Sequence, residues 1–183
     1  MPFVRIVRRR WVVALALVAG CAPAPPAAIV SAPLMAPSLL KPYPNLNQFL
    51  QCVPFARTVS GIELRGDAWT WWEQATPHYQ RGAAPREGAV LVFKKSSRLK
   101  FGHVAVVAQI SGERALLVTH ANWGYEGDTR GVVHERHPVR DVSPRNDWSL
   151  VQLKNRRGRW GSSYATHGFI YQPQTIVSMR GSI

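Results

Sequence analysis

The sequence predicts an α+β domain in which N-terminal helices pack on an antiparallel β-sheet. Three observations predict it. Between about residues 52 and 75 the apolar residues fall at helical spacing. From Gly88 onward the period changes to short apolar or alternating runs. Helices followed by strands, rather than alternating with them, is the order of an α+β fold. The chain has 183 residues and is 46% hydrophobic, long enough to bury a core without disulfide staples. Its two cysteines cannot build a disulfide scaffold or a four-cysteine zinc site.

Residues 1–20 read as a targeting segment. Arg5, Arg8, Arg9 and Arg10 precede the apolar run Trp11 to Ala19. That run is shorter than the roughly 20 residues a helix needs to span a bilayer, so it reads as an export signal. Val18, Ala19, Gly20 and Cys21 resemble the lipobox of bacterial lipoproteins. The resemblance implies cleavage before Cys21 and lipidation of its sulfur. Ala22, a non-acidic residue, then implies sorting to the periplasmic face of the outer membrane. Residues 21–44 are rich in proline and alanine without an apolar face, hence an extended tether. The folded domain is expected over 45–172, with 173–183 as a tail.

The formal net charge is +13, and loss of the four arginines in residues 1–20 leaves +9 (13 − 4). So basic a protein attracts polyanions. For an exported chain these are wall polymers and anionic lipid surfaces, and nucleic acid is not expected as a partner. The densest basic run is Lys154 to Arg159, read as a solvated loop. Nothing in the sequence calls for more than a monomer.

Within the domain, Pro54 fits the first turn of a helix ending near Gly61, and Cys52 falls at the helix N-terminus. A second helix is expected from Asp67 to about Ala75. Strands are expected at Ala89–Phe93, His103–Ile110, Ala115–His120, Val132–Arg136, Leu150–Leu153 and Gly168–Gln172. Ser111-Gly112-Glu113 turns one strand into the next. His103 and His120, nearly symmetric about Gly112, should then lie roughly opposite each other.

A thiol at a helix N-terminus, two imidazoles and the amide of Asn122 make a set with nucleophilic chemistry. The thiolate is the working nucleophile, and the helix dipole with an imidazolium would stabilise it. The imidazole needs a partner on its far nitrogen to fix its tautomer. Cys52 is the expected nucleophile and His103 the base, with His120 or Asn122 as the orienting group. Trp123 is expected to line a substrate groove. The Cys52 backbone N–H, helped by Gln48 or Gln51, would form an oxyanion hole. His78, His134 and His137 are expected to be solvated, and His167 is ambiguous. A zinc site at His120, His134 and His137 is not expected, because no carboxylate has matching spacing.

Four stretches in order resemble the CHAP domain, the cysteine- and histidine-dependent amidohydrolase/peptidase of bacterial wall hydrolases. Gln51-Cys52-Val53-Pro54-Phe55-Ala56-Arg57 resembles its nucleophile motif, and Pro85 to Phe93 its first core strand. Gly102-His103-Val104-Ala105-Val106-Val107 resembles its histidine strand, and Asn122-Trp123 closes the pattern. Trp69 and Ala75 lie in the matching second helix. The resemblance implies a papain-like fold and a peptidoglycan substrate. The bond cut would be the muramoyl–L-alanine amide or a peptide bond, through a thioester and without metal or cofactor. Many members carry Glu-x-Asn where this chain has His120 and Asn122. That departure motivates an alternative, a catalytically degenerate wall-binding lipoprotein. An acyltransferase using the same thioester, with an amine replacing water, is a third reading.

Overall fold

The structure is a computed structural model that describes residues 40–42, 49–124 and 130–173. The expected export signal, lipidated Cys21, most of the tether, Gln48 and nearly all of the tail lie outside the described residues. No helix among the described residues is long and apolar enough to cross a membrane.

Helix α1 (Cys52–Ser60) begins where Pro54 can occupy the first turn without forfeiting a hydrogen bond. It ends at Gly61, whose left-handed φ of 72° lets its N–H return to Arg57 O at 2.8 Å. Phe55, Ala56 and Val59 form its buried face. A 3-10 turn (Ala68–Thr70) leads into α2 (Trp71–Gln74), only four residues long, with Trp71 wholly buried. The segment before α1 is already attached to the domain: Lys41 N–H donates to Val59 O at 2.9 Å.

The strands are β1 (Arg81–Gly82), β2 (Val90–Phe93), β3 (His103–Gly112), β4 (Ala115–Ala121), β5 (Val133–Asp141), β6 (Leu150–Lys154) and β7 (Trp160–Ile170). All neighbours are antiparallel. The hydrogen-bonded order is β1-β7-β2-β3-β4-β5-β6, and β6 also pairs with β7. β7 does this with its two halves: Thr166 to Ile170 pair with β2, and Trp160 to Ala165 pair with β6. β2 to β7 therefore close into a six-stranded barrel.

This corrects the expected fold. The molecule is mostly sheet, a closed antiparallel barrel with two short helices, and not a papain-like arrangement of helices packed on an open sheet. Two local features account for the difference. The Asp67–Ala75 stretch turns into a 3-10 turn plus one helical turn. The first half of β7, with Gly161, Ser162 and Ser163, is polar and resembles a loop. Its pairing with β6 is a long-range event that local periodicity does not record.

Two cores follow from closure. Leu91, Phe93, Ala105, Val107, Leu116, Val118, Val139 and Phe169 pack inside the barrel. Val90, Val92, Val104 and Val106, of opposite parity, meet Phe55, Val59 and Trp71 of the helices outside. β2 is thus buried on both faces, which explains its unbroken Val-Leu-Val-Phe run. Along β3, His103 shares parity with Ala105 and Val107 and lies on the barrel side at the strand's first residue.

Candidate active site

Cys52, Gln51, His103, Asn122, Trp123 and Tyr164 line one cavity of about 540 Å³, whose other wall is the segment 97–102. α1 delivers Cys52 from outside the barrel. β3 delivers His103 from its rim. The meeting is direct along the backbone: the N–H groups of Val104, Val53 and Cys52 lie near the sulfur and favour its anion. Val104 immediately follows His103, so the thiol sits against the start of the histidine strand.

Gly102 fixes where that strand starts. Its φ is +67°, and a Cβ there would stand 2.7 Å from Trp69 N and 2.9 Å from Trp69 Cα. Trp69 N–H also donates to Phe101 O at 3.1 Å. The strand entry is therefore clamped against the 3-10 turn, one residue before His103.

Val106 pairs with Thr119, which sets His120 diagonal to His103 on the same face. Their rings meet nitrogen to nitrogen, His103 Nε2 to His120 Nδ1, at 2.8 Å. His120 is fully buried, and its other nitrogen lies 2.9 Å from His137 Nδ1. His137 Nε2 in turn lies 2.5 Å from the carbonyl oxygen of Lys154. Three imidazoles and a carbonyl thus run in line from the cavity to the β6 end.

The other expected residues fall into different places. Asn122 does not take the far nitrogen of His103. It sits at φ 61° at the end of β4, donates from Nδ2 to Gln51 Oε1 at 2.7 Å, and accepts from Gly131 N–H at 2.9 Å. It ties the residue before the nucleophile to the strand ends. Trp123 packs over the histidines, 4.8 Å from His103 and 5.4 Å from His120 between ring centroids, and also lines the cavity. Trp123 and Gly124 connect this cavity to a larger cleft of about 850 Å³, lined by His134, His137 and the basic hairpin Lys154 to Arg159. His78 is exposed, and His167 stacks on Trp72 at 5.6 Å.

His137 departs from the expectation of a solvated side chain: it is half-buried and bonded at both nitrogens. The cause is a bulge. Val118 pairs with His137 and His120 with His134, so three steps on β5 oppose two on β4. Arg136, at φ +48°, absorbs the extra residue. Residues 134 and 137, of opposite parity, can then stack on each other at 5.5 Å beside His120. Strict alternation would have separated them. Among the described residues no group of His, Cys, Asp or Glu is arranged to hold a metal ion. His120 also has both ring nitrogens engaged by other histidines.

The electrostatics differ from a preformed ion pair. Burial pushes the Cys52 thiol above the ordinary cysteine value, outweighing the three N–H groups that pull it down. Burial, reinforced by the repulsion that a proton on His134 or His137 would add, pushes His103 down to about 3. His120 is held well below its usual range, mainly by burial. The resting pair is therefore a neutral thiol beside a neutral imidazole, not the thiolate expected from the helix dipole and a neighbouring imidazolium. A carboxylate at position 120 would have supported an imidazolium, and a neutral histidine there does not.

Residues 42–122 match the family model of the CHAP domain. This stretch is a CHAP domain. The match spans less than half the chain and ends at Asn122, so β5, β6, β7 and His137 lie beyond it. A search of curated proteins gives no match. Among solved structures, the chain is similar to an N-acetylmuramoyl-L-alanine amidase from Staphylococcus aureus. The TM-score is 0.45 and the identity 19%, over 64% of this chain and 35% of that one. The chain thus spans about a third of that protein's length, and a likeness of this degree bears on neither mechanism nor substrate.

Proposed function

We propose that this CHAP-domain protein is a cysteine hydrolase that cuts an amide bond of peptidoglycan. The bond is either the muramoyl–L-alanine amide or a peptide bond of the stems or bridges. One observation carries the reading: a thiol from a helix N-terminus and an imidazole from a neighbouring strand share one cavity, and the imidazole's other nitrogen is held by His120. The match of residues 42–122 to the CHAP domain supports peptidoglycan as the substrate class.

In this reading Nδ1 of His103 takes the Cys52 proton as the sulfur attacks the carbonyl. Proton transfer accompanies attack because the resting pair is neutral. The developing oxyanion is held by the Cys52 backbone N–H and by the side-chain amide of Gln51, whose Oε1 is already anchored by Asn122. The C–N bond breaks, the amine leaves with the proton from His103, and water hydrolyses the thioester. Trp123 walls the groove between the two cavities. We further propose that a lipid on Cys21 anchors a monomeric enzyme in the cell envelope, within reach of its substrate.

The test is digestion of purified peptidoglycan, with soluble products sized by mass spectrometry. Wild-type protein should release fragments smaller by hydrolysis, and Cys52→Ala should lower the rate by about 10³-fold or more. Undiminished release by Cys52→Ala overturns the reading. Wild-type protein that is retained on wall material but releases nothing would establish the degenerate binding alternative. Products that grow in cross-linking would establish acyl transfer.

A further inference from the structure

We infer that His137 and the backbone carbonyl of Lys154 are positioning elements that set the tautomer of His103. The inference rests on the hydrolase reading for its consequence in turnover, but its physical basis is independent of any substrate.

A backbone carbonyl can only accept. His137 Nε2, 2.5 Å from Lys154 O, must therefore carry a hydrogen. A neutral imidazole has one N–H, so His137 Nδ1 is a lone pair and accepts from His120 Nε2, 2.9 Å away. His120 Nδ1 is then a lone pair and accepts from His103 Nε2, 2.8 Å away. His103 Nδ1 is left as the unprotonated nitrogen, the one form of the ring able to receive a thiol proton. Burial keeps His120 and His137 neutral, as the chain requires. Reversing the chain would set the His137 Nε2 lone pair against the carbonyl oxygen. The polarity is thus fixed at the far end, three imidazoles away from the nucleophile.

This device takes over the orienting role where many family members have a carboxylate, which fixes the tautomer through its own charge. A histidine at 120 accepts or donates with equal ease and has no direction of its own. It acquires one only from His137 and Lys154 O. Both lie on strands outside the CHAP match.

The experiment is two-bond ¹⁵N–¹H correlation spectroscopy of the full chain labelled at histidine nitrogen, at neutral pH, with kinetics on the same samples. His103, His120 and His137 should all show the Nε2–H tautomer. In His137→Leu, His103 should populate both tautomers, and kcat should fall about 10- to 100-fold with KM nearly unchanged. His137→Gln accepts through Oε1 and donates through Nε2. It should restore the single Nε2–H form of His103 and most of kcat. A wild-type His103 protonated at Nδ1 overturns the inference, as does an unaltered His103 tautomer in His137→Leu. The wild-type and His137→Gln spectra decide the matter even if His137→Leu does not fold. Spectra as expected in a protein that digests no peptidoglycan would refute the hydrolase and leave the relay standing.

Discussion

His103 is buried and Cys52 partly so on the cavity wall, and that burial governs their chemistry. Phe93 packs on the edge of the His103 ring at 5.5 Å and Trp123 at 4.8 Å. Burial makes charge costly, and both groups rest neutral. Alkylation of Cys52 by iodoacetamide should therefore climb with pH through and beyond the range of an ordinary cysteine. A rate plateau reached already at pH 5–6 would show a preformed thiolate and contradict this. The residue types were legible in the sequence because thiol, imidazole and amide each have few uses in such spacing. The neutral resting state was not, because it depends on which rings close over the site. His137 was hidden for another reason: its neighbours alternate until Arg136 inserts an extra residue, and a bulge leaves no sequence period to read.

At the scale of elements, catalytic geometry depends on two joints. One is the entry to β3, where Gly102 lies against the Trp69 backbone. Gly102→Ala adds a Cβ in the left-handed region, and backbone atoms cannot swing aside as a side chain would. The substitution should cost about 1–3 kcal/mol in urea denaturation and lower turnover, since His103 is the next residue. Unchanged stability and turnover would show that the joint has no such role. The other is the Asn122–Gln51 tie, which joins the end of β4 to the N-terminus of α1. α1 and the centres of β2, β3 and β4 were readable because their apolar pattern is local. The polar half of β7 and the two-residue β1 were not, since only their partners make them strands.

For the whole molecule, closure of the barrel turns one histidine strand into a wall, so that β4, β5 and β6 can carry the relay from the active-site cavity to the second cleft. It also makes stability depend on acid. His103, His120 and His137 all bind protons less readily when folded than in an open chain. Above about pH 6.5 neither state holds the protons, and nothing changes. As pH falls below that value the unfolded chain takes up protons that the fold refuses. Stability then drops by up to about 1.4 kcal/mol per pH unit for each histidine, down toward the folded value of about 3 for His103. The melting temperature should fall between pH 7 and pH 5, and a constant or rising one would contradict the burial of neutral rings. The central claim is that one sulfur does the chemistry. Its most direct test is to titrate Cys52 with iodoacetamide, determine the alkylated fraction by mass spectrometry, and measure peptidoglycan digestion on the same samples. The account predicts activity that declines in proportion to the alkylated fraction and reaches zero when every Cys52 is modified. Digestion persisting in the fully alkylated protein would contradict it.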